Sequence, residues 1–88
     1  MVQVKLFGSL RDYVPAAQIN VEGEKVRDIL ASLCSAHLEL EQAIFDSQGL
    51  RPHVRVMVNG RDIEMAQGLD TPLEAADNLS IFPPIAGG

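Results

Sequence analysis

A mixed α+β fold, a sheet with one main helix packed on one face, follows from three features of this chain. Two segments of strand period open it, one segment of helix period follows, and strand-period segments return after a loop to close it. Its 88 residues suffice for one core and not for two. A single domain is therefore expected over residues 1–82, followed by an extended, flexible tail over residues 83–88.

Val2, Val4 and Leu6 alternate with Gln3, Lys5 and Phe7, the period-two pattern of a half-buried strand. The stretch SLRDYVPAA after Gly8 is mixed, and Pro15 bars a central strand position there. Ile19 and Val21 then alternate with Gln18, Asn20 and Glu22, giving a hairpin partner that Gly23 stops. From Glu24 the period changes, because Val26, Ile29, Leu30, Leu33 and Cys34 form one apolar helical stripe that runs to Ala36 or His37. LELEQAIF reads as a second short helical piece and DSQGLRP as a loop.

In HVRVMVNGRDI, Val54, Val56 and Val58 point one way, while His53, at the start of the strand, Arg55 and Met57 point the other. Asn59-Gly60 is the strongest hairpin-turn signal in the chain, so a short returning strand is expected from Asp62 to Glu64. A loop through Gly68, Asp70 and Pro72 and a turn at LEAADN lead to a last strand at Leu79 and Ile81. Pro83-Pro84 ends that strand by removing two backbone donors. The order suggests a β-grasp, or ubiquitin-like, arrangement in which the last strand lies parallel to the first in the centre of the sheet.

Hydrophobic residues make up 47% and charged residues 22% of the chain, an ordinary globular balance rather than that of a disordered segment. No apolar run is long enough to span a bilayer, and MVQVKLFGS lacks the apolar stretch of a secretory signal. No membrane partner and a cytoplasmic location are expected. A net charge of -5 argues against a nucleic-acid partner, which requires Lys and Arg gathered on one surface. An acidic surface instead suits a protein partner with a basic patch.

The residues of a catalytic centre are missing. Cys34 has no second cysteine to pair with and no metal-ligand spacing around it, and on the apolar side of the helix it reads as a small buried hydrophobe. His37 and His53 are isolated, Glu39/Glu41 and Asp62/Glu64 read as solvated faces, and the internal glycines are single turn residues. No metal, no bound cofactor and no catalytic activity of the chain alone are expected.

Binding features are richer. With the valines facing the helix, Phe7, Met57 and Phe82 fall on the opposite sheet face, where polar residues are the rule. Adjacent central strands would join the three into an apolar partner surface rimmed by Lys5, Arg55 and Ser80. In the competing arrangement Phe7 and Phe82 bend back at the strand ends and the cluster is never contiguous.

The tail FPPIAGG has its own logic. Two prolines stiffen it, and at roughly 3.3 Å per residue the stretch from Pro83 to Gly88 reaches about 20 Å when extended. Gly87 and Gly88 lack Cβ atoms and so thread a narrow channel, offering the terminal carboxylate to another enzyme. That carboxylate needs activation, typically by attack on the α-phosphate of ATP.

The segments KLFGSLRDYV, VRDILASL, VMVNG and PLEAADNLSIFPPIAGG resemble the MoaD/ThiS family of ubiquitin-like sulfur carriers, most of all its MoaD branch. The resemblance implies that Gly88 is adenylated by an E1-like enzyme using ATP and becomes a thiocarboxylate. It makes Gly87 the companion in the active-site tunnel, and Phe82, Pro83, Pro84, Ile85 and Ala86 the inserted tail. It further implies the large subunit of molybdopterin synthase as partner, in molybdenum cofactor biosynthesis. Sulfur carriage for tRNA thiolation, thiamine or cysteine synthesis, conjugation to lysines as a modifier, and noncovalent docking through Phe7, Met57 and Phe82 are the alternatives. One departure is Ala75-Ala76-Asp77-Asn78, where the family often has a glycine-containing acidic turn, and a left-handed Asn78 is expected to rescue it.

Overall fold

The first strand, β1 (Val2–Leu6), buries Val2, Val4 and Leu6 and turns Lys5 to solvent, as its alternation requires. The structure, a computed structural model, describes residues 1–14, 16 and 18–84. Pro15 lies outside the described residues, as do Ile85, Ala86, Gly87 and Gly88. β2 (Gln18–Val21) pairs antiparallel with β1, Ile19 standing opposite Val4. The connection between them holds a 3-10 helix at Gly8–Asp12, and Leu10 and Val14, which no period marked, join the core.

Helix α1 (Val26–Ala36) buries all five residues of its apolar stripe. Its start is set by Asp28, whose carboxylate accepts from the backbone N–H groups of Glu24 (3.2 Å) and Lys25 (3.1 Å), an acid in the first turn where the helix dipole favours one. Helix α2 (Leu38–Ile44) follows at once and inserts Leu40 and Ile44 into the same core. The expected loop at DSQGLRP contains a small hairpin, β3 (Phe45–Asp46) and β4 (Gly49–Leu50). Asp46 closes it by accepting from the Gln48 N–H at 2.8 Å.

Three further details depart from the sequence reading. Strand β5 (Arg55–Val58) begins after His53 rather than at it, because His53 adopts a left-handed turn conformation with φ 73°. Asn59 and Gly60, at φ 51° and 84°, make the expected tight turn. The returning strand β6 (Arg61–Asp62) is shorter than expected, since the Asp62 carboxylate accepts from the Glu64 N–H at 2.9 Å and starts a 3-10 turn that buries Ile63. In the LEAADN turn a left-handed Asn78 is not used. Asp77 accepts from the Glu74 N–H at 2.8 Å, and Asn78 is the first residue of β7 (Asn78–Phe82). Asn59 ties the two turns together, donating to Asp77 at 3.0 Å and accepting from the Asn78 N–H at 2.9 Å.

The sheet order is β2-β1-β7-β5-β6, with β7 parallel to β1 and antiparallel to β5. The last strand is therefore the central one, as the β-grasp arrangement demands. Val4, Leu79 and Ile81 on its inner face are fully buried with Ile29, Leu40 and Ile44 in a single core. Among the described residues, neither α1 nor α2 lines the groove on the other face, where Phe7, Met57 and Phe82 lie.

Candidate functional site

The open face of the sheet is assembled by register. Arg55 stands opposite Phe82, and Met57 opposite Ser80, across the antiparallel β5–β7 pair. On the other side Lys5 is the parallel partner of Ser80 and Leu6 that of Ile81. Phe7, the next residue, donates its N–H to the Ile81 carbonyl at 3.0 Å, which brings its ring beside Phe82. The two rings stack closely, with centroids 4.4 Å apart and planes 14° from parallel. They do not bend away from one another.

Phe7, Met57, Phe82 and Arg55 line one groove of about 540 Å³, together with Gly8, His53 and Pro83. Lys5 and Ser80 share the face as its rim. Phe7, Met57 and Phe82 are each half-buried, so their exposed parts form an apolar surface in water. Sequence reasoning missed His53 and Gly8. The alternation set His53 on the side of Arg55 and Met57 but gave it no binding role, and nothing local says that Gly8, which follows an apolar strand, returns to Phe82.

The electrostatics of the groove differ from those of the whole chain. Arg55 donates through Nη1 to the Asp62 carboxylate at 3.1 Å, and its side chain remains 61% exposed while that of Asp62 is only 11% exposed. Asp62 is thus a half-buried anchor, bonded to Arg55 and to the Glu64 N–H, rather than a solvated carboxylate. None of the described residues lining the groove is acidic. The net charge of -5 is therefore not concentrated on the lining of this groove. Its charged edge, Arg55, suits an acidic group on whatever covers it.

The groove runs into the base of the tail. Pro83 is half-buried and Pro84 exposed. Ile85, Ala86, Gly87 and Gly88, assigned to the tail from sequence, lie outside the described residues. Among the described residues no group of three His, Cys, Asp or Glu side chains could hold a metal ion, and no helix is long and apolar enough to cross a membrane. Cys34 is buried, and that burial, reinforced by the Glu41 carboxylate, pushes its thiol up to about 11. A protonated, enclosed thiol is a poor nucleophile.

A central last strand parallel to the first, helices on one face and an apolar groove on the other define a small ubiquitin-like protein of the β-grasp class. Residues 4–88 match the ThiS family, and the chain belongs to that family, the ubiquitin-like sulfur carriers that its sequence resembles. It is 32% identical over 90 residues to small archaeal modifier protein 3 of Haloferax volcanii, covering 99% of this chain and 98% of the relative. The solution structure of small archaeal modifier protein 1 from Methanosarcina acetivorans superposes with a TM-score of 0.91 at 34% identity, covering 99% of this chain and 95% of that one. A chain of the Amycolatopsis orientalis BexX/CysO complex superposes with a TM-score of 0.88 at 26% identity, covering 100% of both.

Proposed function

We propose that this protein is a sulfur carrier whose Gly88 carboxylate is activated by a separate E1-like enzyme and converted to a thiocarboxylate. A carboxylate oxygen of Gly88 attacks the α-phosphorus of ATP, an O–P bond forms, the bond to the β-phosphate breaks, and pyrophosphate leaves. A sulfur nucleophile then adds to the acyl carbon and AMP departs with the bonding electrons. ATP is a substrate of the partner in this scheme, and the carrier binds no cofactor of its own.

The observation that carries the reading is the continuity of the groove with the root of the tail. Phe82 and Pro83 line the groove, and Pro84 follows directly. A partner seated on Phe7, Met57 and Phe82, with an acidic side chain against Arg55, therefore grips the end of the last strand and draws Pro83, Pro84, Ile85, Ala86 and Gly87 into its active site. Rings that are half-buried and already stacked lose little freedom on binding, the condition for an interface anchor. The large subunit of molybdopterin synthase is the proposed recipient of the sulfur, on the resemblance of the FPPIAGG end to the MoaD branch. Intact-mass spectrometry after incubation with the activating enzyme, ATP and a sulfur donor should show oxygen-to-sulfur exchange at the C-terminus. Exchange that survives deletion of Gly88 would overturn the reading.

The modifier names of two of the similar proteins favour a second fate for the same adenylate. In it a lysine amine of another protein displaces AMP and forms an isopeptide bond. Arg61 is the last Lys or Arg before Gly88, so trypsin would leave residues 62–88 on the acceptor lysine. Recovering that remnant supports conjugation, and recovering only free thiocarboxylate opposes it.

A further inference from the structure

Resting on the carrier reading, we infer that Gly8 aims the tail, acting as a positioning residue through Pro83. Gly8 follows β1 in a left-handed conformation, φ +59°, and a Cβ built on it would stand 2.9 Å from Pro83 Cγ and 3.4 Å from Pro83 Cδ. Those two atoms belong to a ring closed on the backbone nitrogen. A flexible side chain would swing aside, whereas the pyrrolidine ring passes a push to its own backbone and hence to the chain beyond it.

The strand behind this contact cannot yield. Phe7 is hydrogen-bonded to Ile81 at 3.0 Å and its ring is stacked on Phe82, so the chain is held up to Phe82 and the Gly8 contact acts on the next residue. Pro84 is already exposed. Pro84 leaves the sheet in the direction that Pro83 gives it, so a shift of the Pro83 ring redirects the chain at its exit. Misplacement by about 1 Å is enough to cost two orders of magnitude in a reaction that depends on positioning. The absence of a side chain at Gly8 thus serves the chemistry at the far end of the tail.

Gly68 supplies the control. It has the same φ of +59°, but a Cβ there would meet nothing within 4 Å. Gly8→Ala and Gly68→Ala suffer the same left-handed strain, and only the first presses on Pro83. In the full-length protein, with the carrier at saturating concentration, Gly8→Ala should lower the maximal rate of adenylation, read by ATP–pyrophosphate exchange, by roughly tenfold or more. Gly68→Ala should leave that rate unchanged. Gly8→Ala combined with Pro83→Ala should be no slower than Pro83→Ala alone, because the ring that transmits the push is gone.

A second measurement stands apart from the carrier reading. Residual dipolar couplings of the amides of residues 86–88 should change in Gly8→Ala and not in Gly68→Ala. Wild-type adenylation of Gly8→Ala, an equal loss in Gly68→Ala, or losses that multiply in the double variant would each overturn the aiming role. A wild-type protein that takes no adenylate overturns the carrier reading instead, and the couplings then decide the role of Gly8: unchanged couplings in Gly8→Ala reject it.

Discussion

The two faces of one strand divide the work of this protein. Along β7, Leu79 and Ile81 are fully buried beneath the helices, while Ser80 and Phe82, one residue away in each case, stand half-buried on the open side. Both faces carry large apolar side chains, yet only the inner one is closed over. The difference teaches that period two allots stability to one side of a strand and leaves the other side available for recognition. Phe82 is too large and too apolar for an idle open face, and its stacking on Phe7 keeps it in place without hiding it.

The contrast can be broken most strongly from within. Ile81→Ala should lower unfolding free energy by about 2–5 kcal/mol in urea melts, since it leaves a cavity beneath the central strand, while the folded fraction still binds its partner. Phe82→Ala should do the reverse. Loss of the stack removes about 1 kcal/mol of stability, but partner affinity measured by calorimetry should fall by about 2 kcal/mol or more. Equal effects of the two variants on stability and on binding would erase the distinction between the faces.

Smaller perturbations sharpen it. Asp77→Ala severs the bonds to the Glu74 N–H and to Asn59, and should cost about 1 kcal/mol in thermal melts with no change in partner affinity. On the inner side, burial first and Glu41 second raise Cys34 from 9.0 to about 11. A folded-state value above the unfolded one contributes stability that is whole below pH 9.0 and is lost as pH rises toward about 11. Cys34→Ala should therefore flatten the alkaline fall in urea midpoint over that window. The smallest effect belongs to the exposed Arg27–Asp70 pair at 2.8 Å, where the hydrogen bond and charge of Arg27 hold Asp70 below its ordinary 3.8. That contribution is present above 3.8 and disappears as pH falls through the lowered folded value. Arg27→Ala should move the Asp70 titration, followed by NMR, back up toward 3.8.

Much of the scaffold was legible in the chain because its signals are local. The alternation of Val2, Val4 and Leu6, the stripe from Val26 to Cys34 and the Asn59-Gly60 turn each occupy a few residues, and each appears where its pattern places it. Leu10 and Val14 escaped because a 3-10 turn has no apolar period to display. His53 escaped because its left-handed turn interrupts what reads as continuous alternation. Asp62 read as a surface carboxylate, since a carboxylate that caps a turn looks the same in sequence as one that meets only water.

The sequence by itself determined which faces are apolar, where the main helix and strands lie, and that two prolines follow the last strand. Periodicity and turn chemistry decide these within one or two turns of chain. The tertiary structure alone decided that Phe7 meets Phe82, that Arg55 is anchored to Asp62, and that Gly8 lies against Pro83. These contacts exist because β7 enters the sheet parallel to β1 and antiparallel to β5. Such register is fixed by packing the whole core, and a window of neighbouring residues does not contain it.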